Sequence, residues 1–421
     1  MSSEKLKIHF IGIGGIGVSA LAQYYLAKGH KVSGSDLVSS EITDSLKKKG
    51  VKITIGRNTI PKNIDLLIYS PAVKIRNLKT KIPALSYPQA LGELTKKYFT
   101  IAVCGSHGKS TVAAMIGILL QIARLDPTVI IGTKLKEFGD SNCRIGNSQY
   151  LVIEADEHFA SFLNYWPKII VITNIETDHL DYYKNIKNIK KAFNEFVSHL
   201  PEDGALIDLR NQSKLRDFVN PSIDMRKLRR ILKIPGEHNV FNSLAALAVA
   251  RVLKIPDRIS FKALAGYKGS WRRFEEKTIK LNAKRHTLIS DYGHHPTQIE
   301  VTLKATKEKY PRKKIWCVYQ PHQYQRTYYL FNDFVKVFRQ AAVDKIIITD
   351  IYDVAGREEK SIKQKVNSEK LVRAVKKQNV IYLPKQKIID YLKKNLQDGE
   401  VVIVMGAGDI YNITLNLTER K

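Results

Sequence analysis

The chain has 421 residues, 44% of them hydrophobic, which suffices for about two to four domains that each bury a core. Its 69 Lys and Arg against 40 Asp and Glu give a net charge of +29, but the lysines are scattered without interleaved aromatics. That pattern disfavours a nucleic-acid-binding protein and favours a basic surface that attracts phosphate-rich small molecules. No apolar run approaches the ~18 residues of a membrane helix. Cys104, Cys143 and Cys317 lack paired spacing, which argues against a zinc cluster or disulfide framework. We expect a cytoplasmic globular protein, a monomer or weak dimer, with no membrane or nucleic-acid partner.

The first segment opens with a strand, a glycine turn and a helix. The strand is predicted over residues 6–11, the turn over 12–17 and the helix over 18–28. A second strand, 31–36, ends in an acid 19 residues after Gly17. Glycines let the backbone approach a diphosphate at a helix N-terminus, and the acid takes ribose hydroxyls. The predicted contacts of a diphosphate and ribose are Gly14, Gly15, Ile16, Gly17 and Asp36, and a nicotinamide dinucleotide or a UDP-sugar fits them equally well.

The rest of this segment continues the alternation of strands and helices. Strands are predicted over 51–55 and 65–70, and a helix over 89–97. Ligands of open parallel sheets bind at the carboxyl ends of strands. Ser70, at such an end, is therefore a predicted substrate contact.

The second segment begins with a strand at 100–104, a glycine-rich turn and a helix at 111–123. Backbone N–H groups of such a turn and the positive end of the helix bind phosphates, while a lysine and a hydroxyl reach further phosphates and Mg²⁺. A full phosphate loop has glycine where this chain has Val103, so the loop is shortened. The residues predicted to bind a nucleoside triphosphate are Gly105, Ser106, His107, Gly108, Lys109, Ser110 and Thr111.

Acidic and histidine side chains follow the next two predicted strands, 150–154 and 169–173. Glu154 ends one strand, and Asp178 and His179 follow the other. Mg²⁺ prefers oxygen ligands, so Glu154 suits it, whereas His179 is an unusual ligand that equally fits a helix start. Further on, Asn239 and Asn242 precede a helix predicted over 243–252 and contact a purine or cap the helix.

The third segment again alternates strands and helices. Strands are predicted over 288–291, 315–319, 345–349, 380–383 and 401–404, with helices over 296–310, 328–340, 368–377 and 388–395. Arg273 is a predicted phosphate contact if it lies beside a nucleotide. Polar clusters follow the first two strands and include Asp291, Tyr292, His294, His322 and Arg326. The adjacent histidines at 294 and 295 lack the spacing of zinc ligands on a helix. Throughout the chain this alternation predicts mainly parallel sheets flanked by helices.

Taken in order, these motifs resemble those of the Mur ligases, and the likeness covers nearly the whole chain. The resemblance implies an α/β protein of three domains: a Rossmann-like N-terminal domain that binds a UDP-sugar (1–97), a central P-loop ATPase domain (98–270) and a Rossmann-like C-terminal domain for an amino acid (271–421). It implies ATP-dependent ligation of L-alanine to the lactyl carboxylate of UDP-N-acetylmuramate through an acyl phosphate, in peptidoglycan synthesis. ATP and Mg²⁺ are the implied cofactors.

The resemblance also implies roles for individual residues. Lys109 holds the β- and γ-phosphates of ATP, Ser110 and Glu154 one Mg²⁺, and His179 a second metal ion. Asn239 and Asn242 meet adenine, Asp291 the ribose of ATP, and Arg273 a phosphate. The residues that position alanine are Tyr292, His294, His322 and Arg326, of which Arg326 pairs with its carboxylate.

Two departures from the family pattern concern the amino acid more than the reaction. Gln323 stands where the family usually carries arginine, and Glu157-His158-Phe159 replaces a Glu-Ser-Asp sequence. A murein-peptide recycling ligase, which joins a tripeptide to the same UDP-sugar, is the nearest alternative. A nicotinamide-dependent oxidoreductase is a second alternative, but it would account only for the first glycine turn. A basic nucleic-acid-binding ATPase is a third, and it is suggested only by the net positive charge.

Overall fold

The computed structural model describes residues 5–73, 82–354 and 358–418. They form two compact units. The first comprises the chain up to Glu176 with Ile186–Ile231 and Asn242–Gly266, and the second comprises Thr177–Asn185, Leu232–Phe241 and the chain from Tyr267 onward. Among the described residues no helix is both long enough and apolar enough to cross a membrane. Cys104, Cys143 and Cys317 are buried and free.

The first unit contains a five-stranded parallel sheet of strand order β3-β2-β1-β4-β5. Its strands are β1 (Lys7–Ile11), β2 (Lys31–Asp36), β3 (Lys52–Ile55), β4 (Leu66–Tyr69) and β5 (Ala84–Ser86), and its helices are α1 (Ile16–Ala27), α2 (Glu41–Lys48) and α3 (Tyr87–Thr95). The central β1 is buried along nearly its whole length, as expected for a strand covered on both faces.

The same unit contains a second sheet, of order β11-β10-β6-β9-β7-β8, in which only β7 and β8 pair antiparallel. Its strands are β6 (Phe99–Cys104), β7 (Thr128–Leu135), β8 (Ser141–Arg144), β9 (Tyr150–Glu154), β10 (Ile169–Ile172) and β11 (Ala205–Asp208). The helices of this part of the chain are α4 (Lys109–Ile122), α5 (Leu180–Tyr183, in the second unit), α6 (Ile186–Val197), α7 (Gln212–Leu215), α8 (Pro221–Ile231), α9 (Glu237–Val252) and α10 (Asp257–Gly266).

The second unit is built on a sheet of order β12-β13-β17-β14-β15-β16, parallel except for the hairpin of β12 and β13. Its strands are β12 (Glu275–Leu281), β13 (Lys284–Asp291), β14 (Ile315–Tyr319), β15 (Lys345–Ile348), β16 (Val380–Tyr382) and β17 (Val401–Met405). Its helices are α11 (Pro296–Lys309), α12 (Tyr324–Tyr329), α13 (Phe331–Gln340), α14 (Lys360–Lys363), α15 (Ser368–Val375), α16 (Ile388–Asn395) and α17 (Tyr411–Thr418). Alternate residues of β17 enter two apolar clusters, one on each face of the sheet.

The alternation predicted from the sequence is confirmed, with local differences. The single helix predicted over 328–340 is wrong: α12 begins at Tyr324, and the chain breaks at Leu330 (φ −103°, ψ 20°) before α13 starts. Leu330 is buried in the core with Phe334, so packing overrides the continuous helical pattern. The strands β5, β7, β8, β11 and β12 were not predicted. In β12 charged residues occupy most exposed positions, which weakens the apolar signal of an edge strand.

Candidate active site

The glycine turn of the first sheet lies against the ends of β2 and β4, the two strands that flank β1. Gly12 has a φ of +74°, and a Cβ placed there would lie 2.9 Å from the Cβ of Ser70. The Gly14 N–H donates to Asp36 Oδ2 at 2.8 Å. The structure thus brings the turn, Ser70 and Asp36 together. The sequence predicted that Asp36 binds ribose hydroxyls, but it did not predict the hydrogen bond between this carboxylate and the turn.

The phosphate loop lies against the end of β10 and the body of α9. Gly105 has a φ of +130°, and a Cβ there would lie 2.1 Å from Thr173 Oγ1. At Gly108 (φ +85°) a Cβ would lie 2.6 Å from Asn242 Oδ1. The His107 N–H donates to Asn174 Oδ1 at 2.9 Å. Glycine is therefore required at both positions by conformation and by space.

Lys109 begins α4, two residues before the predicted start, and lies among carboxylates. Its Nζ donates to Gly105 O at 2.7 Å and to Glu157 Oε2 at 2.8 Å, with Asp156 at 3.9 Å. Burial disfavours the ammonium, but Glu157, Asp156 and Glu154 outweigh it and raise the pKa of Lys109. The lysine is thus charged, and its hydrogen bond to Gly105 O holds the side chain against the loop.

Glu157 is the buried partner of Lys109, and its side chain is only 3% exposed. Burial raises the pKa of Glu157 to about 7, although Lys109 opposes the change. Sequence reasoning noted this residue only as part of a departure from the family pattern. The acidic residues that follow β9 were the sequence signal that could have identified Glu157 as the partner of Lys109.

Ser110 and Glu154 form a cluster of oxygen atoms at the first turn of α4. The Ser110 Oγ lies 2.9 Å from both carboxylate oxygens of Glu154, and the Gly132 N–H donates to Glu154 Oε2 at 2.8 Å. A hydroxyl and a carboxylate are ligands that Mg²⁺ prefers. The donor set therefore fits that ion. The other predicted metal ligand, His179, belongs to the second unit.

The helix α9 begins at Glu237, six residues before its predicted start, so both predicted purine contacts are helical. Asn239 Nδ2 donates to Pro235 O at 2.7 Å, which ties the helix to the preceding turn. Asn242, about one turn further, approaches Gly108 of the phosphate loop. Both asparagines are buried.

In the second unit, Asp291 and Tyr292 follow β13. The carboxylate of Asp291 accepts from the Phe274 N–H at 2.9 Å and from the Gly293 N–H at 2.7 Å. Burial raises the pKa of Asp291, and Arg273 opposes that rise. The ring of Tyr292 lies near two guanidinium groups, with Arg272 Cζ at 4.9 Å and Arg273 Cζ at 5.0 Å from its centroid.

A buried ion pair of this unit joins Arg326 to Asp178. Arg326 Nε donates to Asp178 Oδ1 at 3.0 Å, and the two side chains are 5% and 8% exposed. Burial would protonate the carboxylate, but Arg326, and then His179, His295 and His294, hold the pKa of Asp178 well below its usual range. Asp178 is thus an anion that orients Arg326, a pairing that sequence reasoning missed because 148 positions separate the two residues.

Two predicted histidines lie beside this pair. Arg326 Nη1 is 3.3 Å from His322 Nδ1, and the rings of His322 and His294 have centroids 5.6 Å apart. Burial, followed by Arg326 and His322, lowers the pKa of His294 well below its usual range, so its ring is neutral. Gln323 is buried, with a φ of +74°, and its N–H donates to Tyr352 O at 3.0 Å.

Models of three domains of one family match the chain in order. The first, described as "Mur ligase family, catalytic domain", matches residues 7–99; the Mur ligase middle domain matches 103–223; and the "Mur ligase, glutamate ligase domain" matches 272–408. This chain belongs to the Mur ligase family. Its fold is accordingly the three-domain architecture of the Mur ligases, with one sheet in each domain.

Individual Mur ligases align over almost the whole chain. A UDP-N-acetylmuramate–L-alanine ligase of Acetivibrio thermocellus is 41% identical and covers 96% of this chain and 94% of its own length. The enzyme of that name from Alkaliphilus metalliredigens is 39% identical, with 100% and 99% covered. The crystal structure of the UDP-N-acetylmuramate-alanine ligase of Thermotoga maritima has a TM-score of 0.79 at 26% identity and covers 99% of both chains. A murein peptide ligase of Psychrobacter arcticus, 23% identical with a TM-score of 0.68 over 98% of both chains, shares the fold.

Proposed function

We propose that the protein ligates L-alanine to the lactyl carboxylate of UDP-N-acetylmuramate at the expense of ATP, in peptidoglycan synthesis. The observation that supports this proposal is the presence, in one compact unit, of two glycine turns that each lead into a helix. One is the glycine turn held by Ser70 and Asp36, and the other is the loop that leads into Lys109. An enzyme that phosphorylates a UDP-sugar with ATP needs both. A nicotinamide-dependent oxidoreductase needs only the first.

The order of the steps follows from the chemistry of a carboxylate. Its leaving group would be oxide, so an amine attacks it only after phosphorylation supplies a better one. The anionic carboxylate must approach the anionic γ-phosphate, and this repulsion is the main barrier that the protein reduces. Lys109, kept charged by three carboxylates, supplies a cation to the β- and γ-phosphates.

Ser110 and Glu154 would hold one Mg²⁺, and His179 would hold a second metal ion. When bound, these ions screen the phosphate charges. Asn239 and Asn242 would contact adenine, Asp291 the ribose of ATP and Arg273 a phosphate.

The acceptor site is proposed around Arg326. Its guanidinium is fixed by Asp178 through Nε and retains other N–H groups for a carboxylate. His294 is buried and neutral, and with His322 and Tyr292 it would position the amine of alanine. A neutral imidazole can take a proton from the ammonium group of alanine. The resulting amine then attacks the carbonyl carbon of the acyl phosphate, a C–N bond forms, and phosphate leaves.

Phosphate release with single amino acids tests this function. The protein is incubated with ATP, Mg²⁺, UDP-N-acetylmuramate and one amino acid at a time, and we expect release to be fastest with L-alanine. A tripeptide that replaces alanine as the best acceptor would instead favour a recycling ligase. No release with any acceptor would contradict the proposal.

We also propose that the protein works in the cytoplasm. The three thiols of the chain are free and buried, which is in keeping with a reducing compartment.

A further inference from the structure

Tyr87 is the first residue of α3, and its position is fixed by the start of that helix. Ser86 is the N-cap: its N–H donates to Gln89 Oε1 at 2.9 Å, and its Oγ accepts from the Gln89 N–H. Pro88 follows inside the first turn, where its ring suits the helix. These contacts set the direction in which the Tyr87 side chain leaves the backbone.

The ring of Tyr87 lies directly against Gly17. A Cβ placed on Gly17 would be 2.7 Å from Tyr87 Cζ and 2.8 Å from its hydroxyl oxygen, so only glycine admits this approach. Gly17 is the second residue of α1. The hydroxyl therefore lies at the N-terminal turn of α1, where backbone N–H groups lack partners inside the helix.

The hydroxyl of Tyr87 accepts or donates no hydrogen bond within residues 5–73, 82–354 and 358–418, although the side chain is half-buried. The same unit offers a contrast, because the hydroxyls of Tyr24 and Tyr98 bond each other at 2.9 Å. Burial, followed by the charges of Glu154 and Asp156, raises the pKa of Tyr87. The hydroxyl thus remains protonated and can donate to an anion.

We propose that Tyr87 is a positioning residue for the UDP-sugar and that its hydroxyl donates a hydrogen bond to the diphosphate at the N-terminus of α1. This inference rests on the proposed function, which places that diphosphate at the glycine turn. The nearby carboxylates of Glu154 and Asp156 repel the same diphosphate. A neutral donor beside the turn is therefore suited to hold the diphosphate in place against this repulsion.

Titration calorimetry with UDP as the probe tests this role without catalysis. A hydrogen bond to a charged group contributes enough free energy that Tyr87→Phe should weaken UDP binding about tenfold. In the assay of phosphate release, the KM for UDP-N-acetylmuramate should rise by a similar factor while the KM for ATP stays unchanged. Tyr98→Phe is the matched control, since it removes a hydroxyl of the same unit that bonds Tyr24; its UDP affinity should equal that of the wild type.

The outcomes separate this inference from the function on which it rests. If the wild type binds UDP and Tyr87→Phe binds it equally well, the role of Tyr87 is overturned and the proposed function stands. Equal increases in both KM values would assign Tyr87 a structural role and also overturn the inference. A wild-type protein that binds neither UDP nor UDP-N-acetylmuramate would overturn the proposed function and, with it, this inference.

Discussion

Lys109 and Glu157 form a buried ion pair beside the phosphate loop. The side chain of Lys109 is 13% exposed, and that of Glu157 is 3% exposed. Removing one partner of a buried pair leaves the other charge uncompensated, so Glu157 should take up a proton when the lysine is lost.

Lys109→Ala should therefore lower the rate of phosphate release by at least about 100-fold, because a cation beside the γ-phosphate is lost. Calorimetry should show UDP-N-acetylmuramate binding nearly unchanged. Lys168→Ala is the control, since that lysine pairs with exposed Asp203 at the protein surface. Equal loss of activity and of UDP-sugar binding would mean that the two nucleotides are assigned to the wrong turns.

Arg326 makes contacts in two directions that a lysine cannot reproduce, with Asp178 at Nε and His322 at Nη1. Arg326→Lys should raise the KM for alanine about tenfold or more, since a charged hydrogen bond to its carboxylate is weakened. The KM values for ATP and the UDP-sugar should not change. Arg339→Lys serves as the comparison, because its guanidinium bonds the backbone carbonyls of Ala374 and Val375. An unaltered KM for alanine would remove Arg326 from the acceptor site.

At the scale of elements, the sequence predicted what local patterns encode. Glycines before a helix and acids at strand ends have a fixed spacing, so both glycine turns could be placed between a strand and a helix. Partners such as Asp178 and Arg326, or Gly17 and Tyr87, are distant in the chain, and only the fold brings each pair together. Helix starts were also missed: the polar residues at the beginning of α9 hid a helix that begins at Glu237.

His238, at the start of α9, should make the free energy of unfolding depend on pH. Burial lowers the pKa of His238 to about 4, and a Cβ on Gly236 would lie 2.5 Å from the imidazole. An unfolded histidine titrates near 6.5, so between pH 6.5 and 4 the unfolded chain binds more protons than the folded one. The free energy of unfolding contributed by this residue should therefore fall as the pH drops through that window.

When the pH is lowered from 7 to 4.5, the free energy of unfolding should fall by about 2 kcal/mol less in the variant His238→Gln than in the wild type. Denaturant unfolding of both proteins at the two pH values measures the difference. Parallel pH profiles for the two proteins would show that His238 is protonated as readily in the folded as in the unfolded state.

At the scale of the whole molecule, three sheets of similar construction have separate predicted tasks. The first carries the turn for the UDP-sugar, the second the phosphate loop, and the third Arg326 and its histidines. The net charge of +29 is compatible with substrates that are all anionic or carry a carboxylate. Because Gln323 stands where the family usually carries arginine, we expect it to bear on the choice of amino acid.

The central claim is that ATP phosphorylates the lactyl carboxylate before alanine attacks it. The most direct test uses UDP-N-acetylmuramate labelled with ¹⁸O in that carboxylate, together with ATP, Mg²⁺ and L-alanine, and mass spectrometry of the released phosphate. One labelled oxygen should move from the carboxylate to each phosphate, with UDP-N-acetylmuramoyl-L-alanine as the other product. Unlabelled phosphate released while that product forms would contradict the account.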